Sequence, residues 1–154
     1  MNYQKQNIII EQVDKKLLAF DMLRDVKRPS DGWVHAIRSG MKMSLRQLGE
    51  RLSVTPQSIK ELETREKYGT ATIDALDKAG KAMNMRLVYG FIPEEGSISE
   101  MIEQQARKVA TQVVKRTSIS MKLEGQENSA ERIQRAIDEL TEELKREMPR
   151  YLWD

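Results

Sequence analysis

The stretch LRQLGERLSVTPQSIKELE, residues 45 to 63, constrains the fold more than any other part of the chain. Apolar residues recur at helical spacing on both sides of the short turn SVT, and Gly49 interrupts the first half. Ser44 and Thr55 are residue types that begin helices, and Pro56 suits the first helical position. The pattern therefore predicts two short helices joined by a tight turn. Their inner residues are expected to be Leu45, Leu48, Leu52, Val54, Ile59 and Leu62.

This pattern is typical of a helix-turn-helix unit that reads DNA. Such a unit needs a small residue where the second helix crosses the first, and Gly49 meets that need. It also needs polar residues on the outer face of the second helix, which here are Gln57, Ser58, Lys60, Glu61 and Thr64. The alternative is a helical domain without a DNA function, because any solvated helix carries polar residues on its outer face.

The same line resembles the lambda-repressor-like family of phage and bacterial repressors, over roughly residues 33 to 92. The resemblance implies that Gln57 and Glu61 read base edges, since glutamine pairs bidentately with adenine and glutamate accepts from cytosine N4. It places Thr55 and Ser58 near phosphate or base. Lys60 departs from the acidic or polar residue common at its position and is expected to contact phosphate. The full DNA-binding set is Ser44, Arg46, Thr55, Gln57, Ser58, Lys60, Glu61, Arg65 and Lys67.

The resemblance also implies an ion pair between Arg38 and Glu63 that orients the helices. The fold expected is thus mainly α, a lambda-repressor-like helix-turn-helix domain with additional N- and C-terminal helices. The boundaries expected are 1–31 for an N-terminal helix and linker, 32–95 for the DNA-binding domain, and 96–154 for a C-terminal helical region.

Three segments outside the central motif carry specific expectations. The helix within 8–26 is expected to carry an apolar stripe on one side, formed by Ile9, Val13, Leu17, Phe20 and Leu23 or Arg24. Residues 85–91, MRLVYGF, alternate and predict a short strand; it lacks a hairpin partner, so we expect it to pair with the same strand of a second copy across a two-fold axis. The last helix carries a stripe that either docks a partner or packs on the preceding helix, formed by Ile133, Ile137, Leu140 and Leu144.

Composition and charge exclude several classes of protein. The chain has no cysteine, one histidine, His35, and no glycine-rich phosphate loop, so we expect no enzyme activity, no cofactor and no metal site. The absence of a long apolar run or a signal-peptide pattern predicts a cytoplasmic protein without a membrane partner. Residues 24–68 hold ten basic and six acidic residues, whereas 124–147 hold four and eight. The first region therefore suits phosphate, and the second does not.

The stretch SISMKLEG, residues 118 to 125, carries a second candidate site. Ser120 and Glu124 are four residues apart, hence on one helix face, and Gly125 permits a turn directly afterwards. The residues 120–125 resemble the inhibitory motif of Fic proteins, in which a glutamate pairs with an arginine of the Fic active-site loop and obstructs ATP. A carboxylate suits that task because it accepts two parallel hydrogen bonds from guanidinium. The alternative is an ordinary helix end in a dimerisation region.

Nearly the whole chain resembles the mobile mystery protein A family, through QVDKKL, GWVHAIRSGMKMS, LVYGFIPEEGSISEMI, SMKLEG and YLWD. Members of that family are helix-turn-helix proteins encoded beside a Fic-domain protein. The resemblance implies a homodimeric antitoxin that represses its own operon at a palindromic operator and blocks a Fic toxin through Glu124. The alternative is a helix-turn-helix repressor whose C-terminal helices only dimerise or bind an unrelated partner.

Overall fold

The computed structural model describes residues 3–123 and 129–154, without the side chains of residues 3 and 121–123. The described residues are mainly helical, which confirms the expected class. The α-helices are α1 (Tyr3–Leu18), α2 (Trp33–Gly40), α3 (Leu45–Leu52), α4 (Pro56–Lys67), α5 (Ile73–Ala82), α6 (Ile98–Leu123) and α7 (Ala130–Glu147). Short 3₁₀ helices lie at Asp21–Leu23 and Arg150–Trp153. The chain forms two compact units, a central unit of Leu23–Gly90 and a terminal unit of Met1–Met22 with Phe91–Asp154.

The strand expected over residues 85–91 is wrong, because these residues adopt no regular secondary structure. A strand is stable only when its backbone groups pair with a neighbour, and residues 86–90 form no hydrogen bond with any described residue. The alternation also lacks a buried face, since Tyr89 is 66% exposed and Phe91 is 80% exposed.

The core of the central unit lies among α2, α3, α4 and α5. Leu48 and Ile59 are almost completely buried, and the expected inner residues Leu45, Leu52 and Leu62 pack against the same cluster. The expectation for Val54 is wrong, because its side chain is 43% exposed. Val54 lies in the turn between α3 and α4, where its backbone N–H donates to the Gly49 carbonyl of α3 at 2.9 Å.

In the terminal unit, α6 and α7 run antiparallel. Glu103 near the start of α6 lies 3.6 Å from Lys145 near the end of α7, and Arg107 lies 2.8 Å from Asp138. The stripe of α7 packs on α6, so its function within the chain is structural. Its buried members Ile137 and Leu144 share one core with Ala106, Ala110 and Leu152, and Ile133 and Leu140 pack against that core.

Helix α1 belongs to the terminal unit and contacts α6. The apolar stripe expected on this helix is wrong for Ile9 and Val13, which are exposed, whereas Leu17 and Phe20 are half-buried; Ile10, outside the expected stripe, packs against the core. Polar contacts set the rotation of this helix. The Asp14 carboxylate points toward α6 and accepts hydrogen bonds from Ile98 N at 2.8 Å and Ser99 Oγ at 2.9 Å. The helix faces α6 with the side that carries Asp14.

Candidate nucleic-acid interface

Helices α3 and α4 are each started by the side chain that the sequence predicts. Ser44 Oγ accepts from Gln47 N at 3.1 Å, and Gln47 Oε1 accepts from Ser44 N at 2.8 Å, which completes a capping box. Thr55 Oγ1 accepts from Ser58 N at 3.1 Å, with Pro56 in the first turn. These contacts satisfy backbone donors that a helix start leaves unpaired, and so they fix the start of each helix.

Gly49 lets the turn approach α3 closely. The Val54 N–H donates to the Gly49 carbonyl at 2.9 Å, and Ser53 adopts a left-handed conformation with φ of 56°. A Cβ on residue 49 would lie 2.7 Å from the Val54 carbonyl oxygen, closer than side chains and backbone can approach. Only glycine therefore permits this crossing of α3 and α4.

The outer face of α4 is exposed to solvent along its length. Gln57, Lys60, Glu61 and Thr64 are all exposed. Gln57 forms no side-chain hydrogen bond with any described residue, so its amide is available. Glu61 lies 4.0 Å from Arg65, which leaves the Glu61 carboxylate largely unengaged. The two residues expected to read bases therefore present a free amide and a nearly free carboxylate.

The hydroxyl groups of the candidate set are more engaged. Thr55 Oγ1 and Ser58 Oγ lie 2.9 Å apart at the start of α4, and both residues are exposed. Thr64 Oγ1 donates to the Lys60 carbonyl at 2.9 Å. Ser44 Oγ serves in the capping box. Among these residues, Thr55 and Ser58 combine a helix start with two exposed hydroxyls, a combination that suits a phosphate oxygen.

Three of the four basic candidates, Arg46, Arg65 and Lys67, lie beside carboxylates. Arg46 Nη1 is 2.8 Å from Glu50 Oε1, and Lys67 Nζ is 2.9 Å from Asp31 Oδ1. The hydrogen bond and the charge of Asp31 raise the pKa of Lys67, and those of Lys67 lower the pKa of Asp31. Exposed pairs of this kind contribute little to stability, so a phosphate group can compete for these cations.

Arg38 and Glu63, the expected structural ion pair, meet in the structure. Arg38 Nε donates to Glu63 Oε1 at 2.5 Å, and Arg38 Nη1 donates to the Met43 carbonyl at 2.8 Å. Glu63 is 4% exposed, and His35 Nδ1 lies 3.1 Å from its second oxygen. Burial works to raise the pKa of Glu63, but the hydrogen bonds and charges of Arg38 and His35 outweigh it and lower the pKa. The pair fixes α2 against the middle of α4.

Sequence reasoning missed Glu66, a second buried carboxylate on α4, and its neighbour Arg28. Glu66 is 4% exposed and accepts hydrogen bonds from Trp33 N and from Val34 N, the latter at 3.1 Å. A signal was present, because Glu63 and Glu66 follow Ile59 at spacings of four and seven residues, on the inner face of α4.

The second candidate site lies only partly within the described residues. Ser120 is exposed on α6, and its hydroxyl donates to the Arg116 carbonyl at 3.2 Å. Glu124 and Gly125 lie outside the described residues. Helix α6 extends to Leu123, while α7 begins at Ala130.

Within the described residues, no group of three histidine, cysteine or acidic side chains is arranged to hold a metal ion. In the same part of the chain, no helix is both long and apolar enough to cross a membrane. Comparison of the chain with models of protein families, with curated proteins and with solved structures finds no match. The resemblances drawn from the sequence therefore rest on the quoted residues alone.

Proposed function

We propose that the chain is a sequence-specific DNA-binding protein of the helix-turn-helix type, with α4 as the recognition helix. The observation that carries this proposal is the pair α3 and α4, crossed closely at Gly49, with Gln57 and Glu61 exposed beside the capped start of α4. On this proposal Gln57 and Glu61 contact base edges, and Thr55, Ser58 and the nearby lysine and arginine side chains contact phosphates. Two copies bind a palindromic operator as a homodimer.

The test of DNA reading is a gel shift with the promoter of the chain's own operon. Gln57→Ala and Glu61→Ala should each weaken operator binding by about tenfold or more, because one good base contact is worth about 1–3 kcal/mol. The matched controls Gln112→Ala and Glu139→Ala alter exposed residues of α6 and α7 and should bind like the parent. Variants of Gln57 and Glu61 that bind as tightly as the parent would remove this assignment.

The second part of the proposal is that this cytoplasmic repressor is also an antitoxin. Residues 120–125 place a serine and a glutamate four positions apart, and the exposed Ser120 lies within the last two turns of α6. In this role Glu124 pairs with the active-site arginine of a Fic AMP-transferase and occupies donors that the ATP γ-phosphate needs. The toxin is the partner, and the antitoxin itself is not an enzyme.

Glu124→Gly tests the antitoxin role in a purified complex with the Fic protein encoded beside the gene. The variant should remain bound while the toxin regains AMP transfer, because only the blocking carboxylate is lost. Glu127→Gly makes the same change three residues later and should keep the toxin silent. A Glu124→Gly complex that stays inactive, although the free toxin is active, would contradict the role of Glu124.

The alternative function is a repressor whose C-terminal helices only dimerise or bind an unrelated partner. The packing of the α7 stripe on α6 suits this alternative, since that stripe is no longer free to dock a toxin. Coexpression with the neighbouring gene distinguishes the two functions. The antitoxin proposal expects the Fic protein to copurify in an inactive state, whereas the alternative expects it to be absent from the purified chain.

A further inference from the structure

Glu66 is a buried carboxylate that cannot contact DNA directly. It lies in the last two turns of α4 and is 4% exposed, although glutamate is rarely so buried unless it has partners. Its partners are two backbone N–H groups at the start of α2, those of Trp33 and Val34. A carboxylate at this place satisfies unpaired donors of the helix start and complements the positive end of the helix dipole.

Glu66 acts as the cap that α2 lacks in its own sequence. The residue before α2 is Gly32, which has no side chain to accept these hydrogen bonds. Gly32 has φ of 90°, and a Cβ there would lie 2.9 Å from Cδ of Glu66. Position 32 therefore requires glycine for two reasons: the backbone has a positive φ, and a side chain would collide with Glu66. The absence of a side chain lets the start of α2 approach the Glu66 carboxylate of α4.

The Arg28 side chain binds the backbone at the same end of α4. Its Nη1 donates to the Glu66 carbonyl at 2.7 Å, and its Nη2 donates to the Lys67 carbonyl at 3.1 Å. The guanidinium thereby donates to two carbonyls in the last turn of α4, of which the Glu66 carbonyl also accepts from Gly69 N at 3.0 Å. With Glu66, this makes four hydrogen bonds between residues 28–34 and the last turn of α4.

We propose that Glu66 and Arg28 are positioning residues for operator recognition, which set the direction of α4 so that Gln57 and Glu61 meet the bases. This inference rests on the proposed DNA-binding function. Gln57 lies nine residues from Glu66, about 13 Å along the helix at 1.5 Å per residue. A tilt of about 5° at the held end moves the reading end by about 1 Å over that length. Hydrogen bonds to base edges depend on direction and are lost, whereas flexible lysine and arginine side chains still reach phosphates.

The experiment measures affinity for the operator and for random DNA of the same length, over a series of salt concentrations. Glu66→Gln keeps the shape of the side chain but replaces one accepting oxygen by an amide N–H₂. That group faces a backbone N–H donor, so one of the two hydrogen bonds is lost. Operator affinity should fall by about tenfold, the loss of roughly one base contact. Affinity for random DNA and the salt dependence of both should stay within about twofold of the parent, because the phosphate contacts remain. Asp74→Asn, an exposed change in α5 that also removes one negative charge from the central unit, should leave the ratio of the two affinities unchanged.

Arg28→Lys provides a second variant that keeps the charge and does not alter the core. It cannot donate from two nitrogens to both carbonyls, so the ratio of operator to random affinity should again fall. Arg51→Lys is its control, since Arg51 also donates to a terminal helix carbonyl, that of Ala82 at 3.0 Å on α5. The ratio of operator affinity to random-DNA affinity in this control should equal that of the parent.

The outcomes separate the two proposals. A parent chain that does not prefer the operator over random DNA overturns the proposed function and this inference with it. A parent that prefers the operator, together with a folded Glu66→Gln that keeps the same ratio, overturns only the positioning role. Should Glu66→Gln not fold, Arg28→Lys decides, with a reduced ratio as support and an unchanged ratio as refutation. Circular dichroism at the temperature of the binding assay establishes which variants are folded.

Discussion

At the scale of single residues, Gly49 decides whether α3 and α4 can cross. Gly49→Ala should destabilise the central unit by about 1–3 kcal/mol, since the added methyl overlaps backbone that cannot move alone. Gly40→Ala is the matched control, because a Cβ at Gly40 meets nothing within 4 Å and alanine favours the helix. Urea unfolding measures both changes. Equal free energies of unfolding for the two variants would contradict the steric account.

Glu63 gives the central unit a defined dependence on pH. Its pKa is lower in the folded chain, so its contribution to stability is present above the unfolded pKa and is lost as the pH falls through the folded pKa. The parent should therefore be more stable than Glu63→Gln at neutral pH, by about 1–3 kcal/mol, and the difference should shrink toward about pH 2.5. Urea unfolding at both pH values checks this. A difference that is equal at the two pH values would argue against an ion pair with Arg38.

At the scale of helices, Asp14 connects α1 to the start of α6. Desolvation works to raise its pKa, but the hydrogen bonds from Ile98 and Ser99 outweigh it and lower the pKa. Asp14→Ala should speed amide hydrogen exchange at Ile98 and Ser99, because both N–H groups lose their acceptor, at 2.8 and 3.3 Å. As the pH falls and acid protonates Asp14, the protection of these two amides in the parent should fall toward that in the variant. A carboxylate with a lowered pKa stabilises the folded state above that pKa and loses this contribution below it.

Glu11→Ala is the control for this change. It removes an exposed carboxylate from the same helix and should leave exchange at Ile98 and Ser99 as in the parent. Identical exchange in Asp14→Ala and in the parent would show that α1 does not cap α6.

At the scale of the whole molecule, charge divides between the two units. Leu23–Gly90 holds thirteen basic and eight acidic residues, a net charge of +5, while the remainder of the chain has a net charge of −3. A positive unit favours a polyanion through release of counterions, and a negative one does not. The contrast agrees with a DNA-binding role that belongs to the central unit alone.

The homodimer proposed for the operator gives a prediction at this scale. Two copies should bind one palindromic site with half-sites about 34 Å apart, because two recognition helices must enter successive major grooves. Sedimentation of the chain with the palindrome should show two chains per duplex. An isolated half-site should bind far more weakly. One chain per duplex, with equal affinity for palindrome and half-site, would contradict the dimer.

Features that are local along the chain could be predicted from the sequence. Ser44 and Thr55 begin α3 and α4 because a cap needs only a side chain and a backbone N–H three residues away. The apolar stripe of α7 was predictable from helical spacing, and Gly49 was predictable as the crossing residue because a helix-turn-helix needs a small residue there. The exposed face of α4 with Gln57 and Glu61 follows from the same periodicity.

The folded structure was needed for the features that depend on residues of a neighbouring element. The folded structure turns the Asp14 side of α1 toward α6 and leaves Val54 exposed in the turn. It leaves residues 85–91 without the strand that their alternation suggested. It also brought Arg28 and Gly32 to Glu66, across 38 and 34 positions of the chain. The physical reason is that buried polar groups take the partner that folding places beside them. Periodicity shows which face of a helix is turned inward, but it does not show which distant donor or acceptor meets that face.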